Sequence, residues 1–175
     1  MGCITVSEEH WARFKAAQEQ MGLCAGPDDM FLSLRGIRSL VVRLDRHLKS
    51  ALYIAEWLSA RDEVAEVLHP GLPGAAGHDI WKRDFTGSSG LFGVVLKTSN
   101  QRAVDAFLNT LTLYGMGYSW GGYESLVIPC DVTSYRTATT WDREGHLLRL
   151  HIGLEDVKDL TEDLENGFKA MAALD

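Results

Sequence analysis

From Asp28 or Asp29 to about Ala60, apolar residues recur in alternating steps of three and four: Leu34, Ile37, Val41, Leu44, Leu48, Ala51, Ala55 and Leu58. That spacing keeps one continuous stripe on one side of an α-helix, so the segment predicts a single long helix. A stripe of this length must be covered by another layer of structure. Gly36 interrupts it, weakening the helix by about 1 kcal/mol relative to alanine and marking a bend or a close approach. Arg35, Arg38, Arg43 and Arg46 fall mostly off the stripe, as a solvated helix surface would have them.

Around this helix the periodicity changes repeatedly. Ser7 is placed to cap a first helix with Trp11, Phe14, Ala17 and Met21 on one side and Gly22 as its terminator. Val64 to Leu68 reads as a short strand, and the Pro- and Gly-rich run from His69 to Gly77 forces a loop. Asp79 to Phe85 predicts a short helix, Gly87 to Gly90 a turn, and Leu91 to Leu96 a strand. Asn100 is positioned to cap a helix running to about Leu113, with Val104, Phe107, Leu108 and Leu111 buried. Strands near Ser125 to Ile128 and Leu147 to Ile152, then a helix from about Glu155 to Met171, complete the pattern. The class is α+β: a small, mostly antiparallel sheet of three or four strands covered by helices.

Several functions are disfavoured on composition and spacing. Seventeen Lys and Arg against twenty-four Asp and Glu give a net charge of -7, with no basic cluster to follow a nucleic-acid backbone. No apolar run approaches the length of a bilayer span, and the expectation is a soluble, cytoplasmic chain without membrane or nucleic-acid partners. Cys3, Cys24 and Cys130 are odd in number and widely spaced, which suits reduced, buried thiols rather than disulfides. The six histidines show no HxxxH spacing, and His146 and His151, five apart, point to opposite faces of a strand. A protein-built metal site is not expected. The Gly87 to Gly90 turn lacks a P-loop lysine and leads into a strand rather than a helix.

The positive signal is Arg149, set in the apolar strand pattern HLLRLHIGLED. A buried guanidinium requires an anionic partner, because it does not deprotonate. Two partners are open at this point: a carboxylate or phosphate ligand, and an Asp or Glu of the chain itself. The second notable segment, GMGYSWGGYESLVIP from Gly115 to Pro129, carries Trp120, for which ordinary core packing is the competing account.

Taken together, SWGGYESL (Ser119 to Leu126) and RLHIGLE (Arg149 to Glu155) give the chain its resemblance to the trans-sulfuration family of pyridoxal-phosphate (PLP) enzymes. That family has the fold type I, or aspartate-aminotransferase-like, architecture. The likeness covers essentially the whole chain. Within the family the chain is most similar to the bacterial cystathionine β-lyases, on two features: Trp120, where synthases and γ-lyases usually carry leucine, and the run KRDFTGSSGLF from Lys82 to Phe92.

The resemblance implies that Arg149 holds a substrate α-carboxylate in a bidentate pair. It implies that Ser119 and Trp120 complete this pocket, that Tyr118 lines its wall, and that Gly121 and Gly122 let backbone approach the ligand. It also implies an absence. Lys15, Lys49, Lys82, Lys97, Lys158 and Lys169 all lie outside the family's Schiff-base context, and the phosphate loop, ring-stacking aromatic and pyridine-nitrogen aspartate have no counterparts. On this reading residues 1–34 are the tail of the large PLP-binding domain and residues 35–175 the C-terminal small domain. No catalytic, cofactor-binding or metal-binding residue is assigned. The chain alone is expected neither to bind PLP covalently nor to turn over cystathionine. The whole enzyme is expected to be a homotetramer cleaving L-cystathionine to homocysteine, pyruvate and ammonia, and this chain is expected to self-associate through its apolar stripe. The alternatives are a γ-synthase, a γ-lyase or a methionine γ-lyase of the same family, and a non-catalytic carboxylate-binding or interaction domain.

Overall fold

The computed structural model describes residues 2–175, which form two compact units, one ending at Val42 and the other spanning Arg43–Asp175. In the first unit, α1 (Glu8–Gln20) follows Ser7 at the N-cap, and Gly22, with φ +64°, turns the chain away after it. α2 (Pro27–Ile37) begins with a proline where the missing N–H costs nothing, and Asp28 and Asp29 face the positive end of the helix dipole.

The single long helix expected from residue 28 to 60 is two helices. α2 stops at Ile37 and α3 (Leu40–Ser59) starts after Arg38 and Ser39. Gly36 supplies the reason. Its carbonyl accepts from both the amide (3.2 Å) and the hydroxyl (3.3 Å) of Ser39, so a serine side chain competes for a helical acceptor where propensity is lowest. The stripe divides with it: Ala51, Ala55 and Leu58 are fully buried, whereas Leu34, Ile37 and Val41 are 53%, 64% and 70% exposed.

The second unit adds β1 (Val64–Leu68), α4 (His78–Asp84), β2 (Leu91–Leu96), α5 (Gln101–Thr110), β3 (Gly115–Met116), β4 (Leu126–Cys130), β5 (His146–His151) and α6 (Val157–Ala172). The strands form one sheet in the order β1-β2-β5-β4-β3, antiparallel except for the β3–β4 pair. There are five strands rather than three or four because β3 is two residues long, too short to show any alternation, and pairs with Leu126 and Val127 of β4.

Two caps position the helices: Asn100 accepts from the Arg102 amide and Asp156 from the Lys158 amide. α5 ends at Thr110 instead of near Leu113. The buried carboxylate of Asp163 on α6 takes the Thr112 amide, the Thr112 hydroxyl and the Leu113 amide at 2.8–3.0 Å, diverting the groups that another helical turn would use. The core packs Phe92, Val94 and Leu96 of β2 and Leu148 and Leu150 of β5 with Ile54 and Leu58 of α3, Phe107 of α5 and Leu160, Leu164 and Phe168 of α6. The Phe107 and Phe168 rings lie 4.9 Å apart and tilted by 57°, a favourable aromatic geometry.

Two further expectations are corrected. All three cysteines are free, but Cys3 and Cys24 are exposed in the segments flanking α1 and Cys130 is half-buried. Arg46 is not simply solvated, since its Nη2 donates to the Glu155 carbonyl at 3.0 Å. Among the described residues no helix is long and apolar enough to cross a membrane.

Candidate functional site

The centre of the site is β5, the middle strand of the sheet. Alternation along it sends Leu148 and Leu150 into the core and places Arg149 and His151 together on the other face. Against that face runs the connection from β3 to β4, so the two segments singled out in the sequence meet. Arg149 Nη2 donates to the carbonyls of Gly117 (3.1 Å), Tyr118 (2.9 Å) and Ser119 (3.1 Å). Farther along, His151 Nε2 lies 3.1 Å from the Gly122 carbonyl and the Gly121 amide points at the imidazole. The end of the connection is held by Leu154, whose amide donates to the Tyr123 carbonyl (2.8 Å), and by Glu155, whose carboxylate accepts from the amide (2.8 Å) and hydroxyl (2.9 Å) of Ser125.

Glycine is required at two points of this arrangement. Gly121 has φ +84°, a left-handed conformation that side-chain-bearing residues rarely adopt. At Gly153 a Cβ would stand 2.3 Å from the Tyr123 carbonyl oxygen, too close for any other residue. Neither Gly121 nor Gly122 crowds another atom of the chain, so within these residues Gly121 is needed for its backbone angle rather than for close packing.

Arg149 forms no ion pair among the described residues. Among the described residues its Nε is buried without a partner and no hydrogen bond of Nη1 is seen. Three carbonyl dipoles orient the guanidinium but leave its unit charge uncompensated. Neighbouring groups register that charge. Burial pushes the Cys130 thiol up while the Arg149 charge pulls it the other way, and burial, with smaller contributions from His47 and Arg149, holds His151 below the usual imidazole range. The sequence-derived site residues occupy distinct places here. Tyr118 and Ser119 contribute carbonyls to Arg149, while the Tyr118 ring, the Ser119 residue and the Trp120 indole are exposed, so Trp120 is not a core residue.

The sequence model of the family described as Cys/Met metabolism PLP-dependent enzyme matches residues 1–169. The chain belongs to that family. Cystathionine beta-lyase MetC of Escherichia coli is 45% identical over 96% of this chain and 44% of its own length, and the cystathionine beta-lyase of Salmonella typhimurium gives the same figures. A crystal structure of cystathionine gamma synthase from Xanthomonas oryzae pv. oryzae in complex with cystathionine superposes with a TM-score of 0.82 at 32% identity, covering 95% of this chain and 44% of that one. The α+β architecture is thus that of a fold type I PLP enzyme domain. The chain spans less than half the length of the curated relatives it matches.

A PLP enzyme of this family needs an amine that the protein can keep desolvated and neutral beside the cofactor. Lys15, Lys49, Lys82, Lys97, Lys158 and Lys169 are all exposed, and Lys15 pairs with Glu19 at 3.7 Å. None of the six bonds to the Arg149 turn. The residues present offer a cation without an ion pair and do not by themselves fit the cofactor. Among the described residues no three of His, Cys, Asp and Glu gather as metal ligands.

Sequence reasoning missed His151, His47, Ser125 and Glu155. A signal for His151 was available: it stands two residues from Arg149 on a strand and so shares its face. Glu155 ends the RLHIGLE motif, and only the fold shows that its carboxylate holds Ser125.

Proposed function

We propose that this chain is the C-terminal, carboxylate-holding portion of a PLP-dependent carbon-sulfur lyase that cleaves L-cystathionine by β-elimination to homocysteine, pyruvate and ammonia. The observation that carries this reading is Arg149, a half-buried guanidinium fixed against the Gly117–Ser119 carbonyls with no acidic partner among the described residues. An incoming α-carboxylate supplies the missing charge and takes the donors that the carbonyls leave vacant. Ser119 sets the inner edge of the pocket through its backbone. Trp120 and Tyr118 form an outer wall that is open here and that further residues of the enzyme would close. The chemistry at the α- and β-carbons lies with cofactor-holding groups that these residues do not supply, so the chain alone turns nothing over.

Residues 1–34 are then the tail of the PLP-binding domain and residues 35–175 the small domain of a soluble cytoplasmic homotetramer. The β-lyase reading is preferred because curated β-lyases reach 45% identity with this chain, against 35% for the cystathionine gamma-lyase of Bos taurus. The test is product analysis. The whole enzyme carrying these residues, given L-cystathionine, should release pyruvate and homocysteine, and Arg149→Ala should lower kcat/KM by roughly a hundredfold, as loss of a charge-assisted pair does. Cysteine and 2-oxobutyrate would identify a γ-lyase instead. An Arg149→Ala enzyme of normal kcat/KM would remove the site. With PLP added, the 175-residue chain should show neither pyruvate release nor a visible absorbance band characteristic of a lysine-bound cofactor.

A further inference from the structure

We propose that His151 is a positioning residue of the carboxylate site, anchoring through Nε2–H the Gly122 carbonyl and through Nδ1 the Gly121 amide, and so fixing the turn whose other end Arg149 grips. The inference rests on the preceding reading only in naming the site as one for a carboxylate. Arg149 and His151 hold opposite ends of one short stretch from the same face of one strand, the first at residues 117–119 and the second at 121–122. Trp120 lies between the two grips. The two glycines have no side chains with which to anchor themselves, and Gly121 is in a left-handed conformation that a loosened turn would not keep.

The tautomer follows from the partners. A carbonyl only accepts, so the nitrogen 3.1 Å from Gly122 O carries the proton; the Gly121 nitrogen lies 3.2 Å from Nε2 and 3.4 Å from Nδ1, and because a protonated Nε2 has no lone pair to offer, Nδ1 is the ring acceptor left to it. The ring is wholly buried and lies 5.3 Å from that of His47 on α3, tilted by 47°. His47 is fixed in the same way: Nδ1 is 2.7 Å from the Ile152 carbonyl and must donate, leaving a buried Nε2 without a partner. The groups that face His151 are His47 on α3, Arg149 on its own strand, and Glu155, whose carboxylate is committed to Ser125. The Glu155 carboxylate that faces the ring is already engaged by Ser125, and burial together with His47 and Arg149 disfavours a second positive charge there. The working ring is therefore neutral, and only the neutral ring offers the Gly121 amide an acceptor.

The test uses the 175-residue chain and imidazole and backbone NMR. In the wild type, long-range nitrogen-carbon correlations should show His151 protonated at Nε2 and bare at Nδ1. In His151→Phe the Gly121 amide should exchange with solvent at least about fivefold faster, the factor a single hydrogen bond of ordinary net strength carries, and the Trp120 indole resonance should move. In His151→Gln, whose amide supplies both a donor and an acceptor, both signals should return towards wild type. A ring protonated at Nδ1 instead, or a Phe variant with wild-type Gly121 exchange and Trp120 shift, would overturn the proposal. So would a Gln variant as disturbed as Phe at an equal urea midpoint, since that pattern marks packing alone. If the Phe variant does not fold, the wild-type tautomer decides. None of these signals reads catalysis, so a failed product assay with them intact would remove the lyase reading and leave the turn anchor standing.

Discussion

Arg149→Met separates a guanidinium kept for a ligand from one that holds its own fold together. Methionine retains the unbranched stem and removes the charge. On the debit side are the contacts from Nη2 to three carbonyls. That nitrogen carries two hydrogens, and the carbonyls belong to residues of which Tyr118 and Ser119 are exposed, so water replaces much of what is lost; the cost is about 1–2 kcal/mol. Against it stands the buried Nε–H that has no acceptor, whose removal returns about 1–3 kcal/mol. The expected change in unfolding free energy lies between a loss of about 1 kcal/mol and a gain of about 2 kcal/mol, the loss amounting to roughly 2–4 °C in Tm for a chain of this size. A guanidinium paired with an acid of its own fold would behave otherwise, because stripping one partner from a buried pair costs about 3–5 kcal/mol. Urea unfolding followed by circular dichroism on both proteins measures the difference, with an unchanged slope as the control that the same surface unfolds. A loss beyond about 3 kcal/mol at constant slope would refute the claim that Arg149 lacks an internal partner.

Acid and protein concentration give two further tests of the fold. His69 and His151 are both held below the usual imidazole range, in each case first by burial. The unfolded chain therefore takes up protons that the folded rings refuse: stability is full above the ordinary histidine value of about 6.5 and falls as the pH drops below it. Urea midpoints measured from pH 8 to pH 5 should decline below about 6.5, ahead of the range in which the lowered carboxyl of Glu63 contributes, and a midpoint that is flat or rises would contradict the assignment. The exposed apolar residues Ile37 and Val41 should make the chain associate in a concentration-dependent way, and replacing both by aspartate should shift sedimentation towards monomer; a wild-type chain that stays monomeric at high concentration would exclude that surface.

What was legible in the sequence follows the range of the interactions involved. Strands β1 and β2 and the cap at Asn100 express local preferences of turn, alternation and capping residues, and these lie where the pattern put them. The break after Ile37 and the early end of α5 were not legible. One depends on a serine hydroxyl choosing a carbonyl, the other on Asp163, some fifty residues away in sequence, capturing Thr112 and Leu113. Neither competition leaves a periodic trace. β3 escaped for a simpler reason: two residues cannot display a period.

The site divides along the same line. That Arg149 sits in a strand and requires an anionic partner could be read from one segment, but not whether the chain itself supplies that partner, and the three carbonyls that orient it carry no residue-type signature, so only the fold shows that they belong to the SWGG turn. His151 illustrates the opposite error. Its position two residues from Arg149 places both side chains on one face, a relation that a search of histidine spacing for metal ligands passes over. On a central strand, the residues two positions from a candidate binding group bear on the same surface and are the first place to look for what holds that surface in shape. Here β5 grips one turn twice, once with a permanent cation and once with a ring that must stay neutral. Because the only formal charge the two grips bring to the turn is that of Arg149, the proposed site would favour negative charge through one side chain and keep its shape through the other.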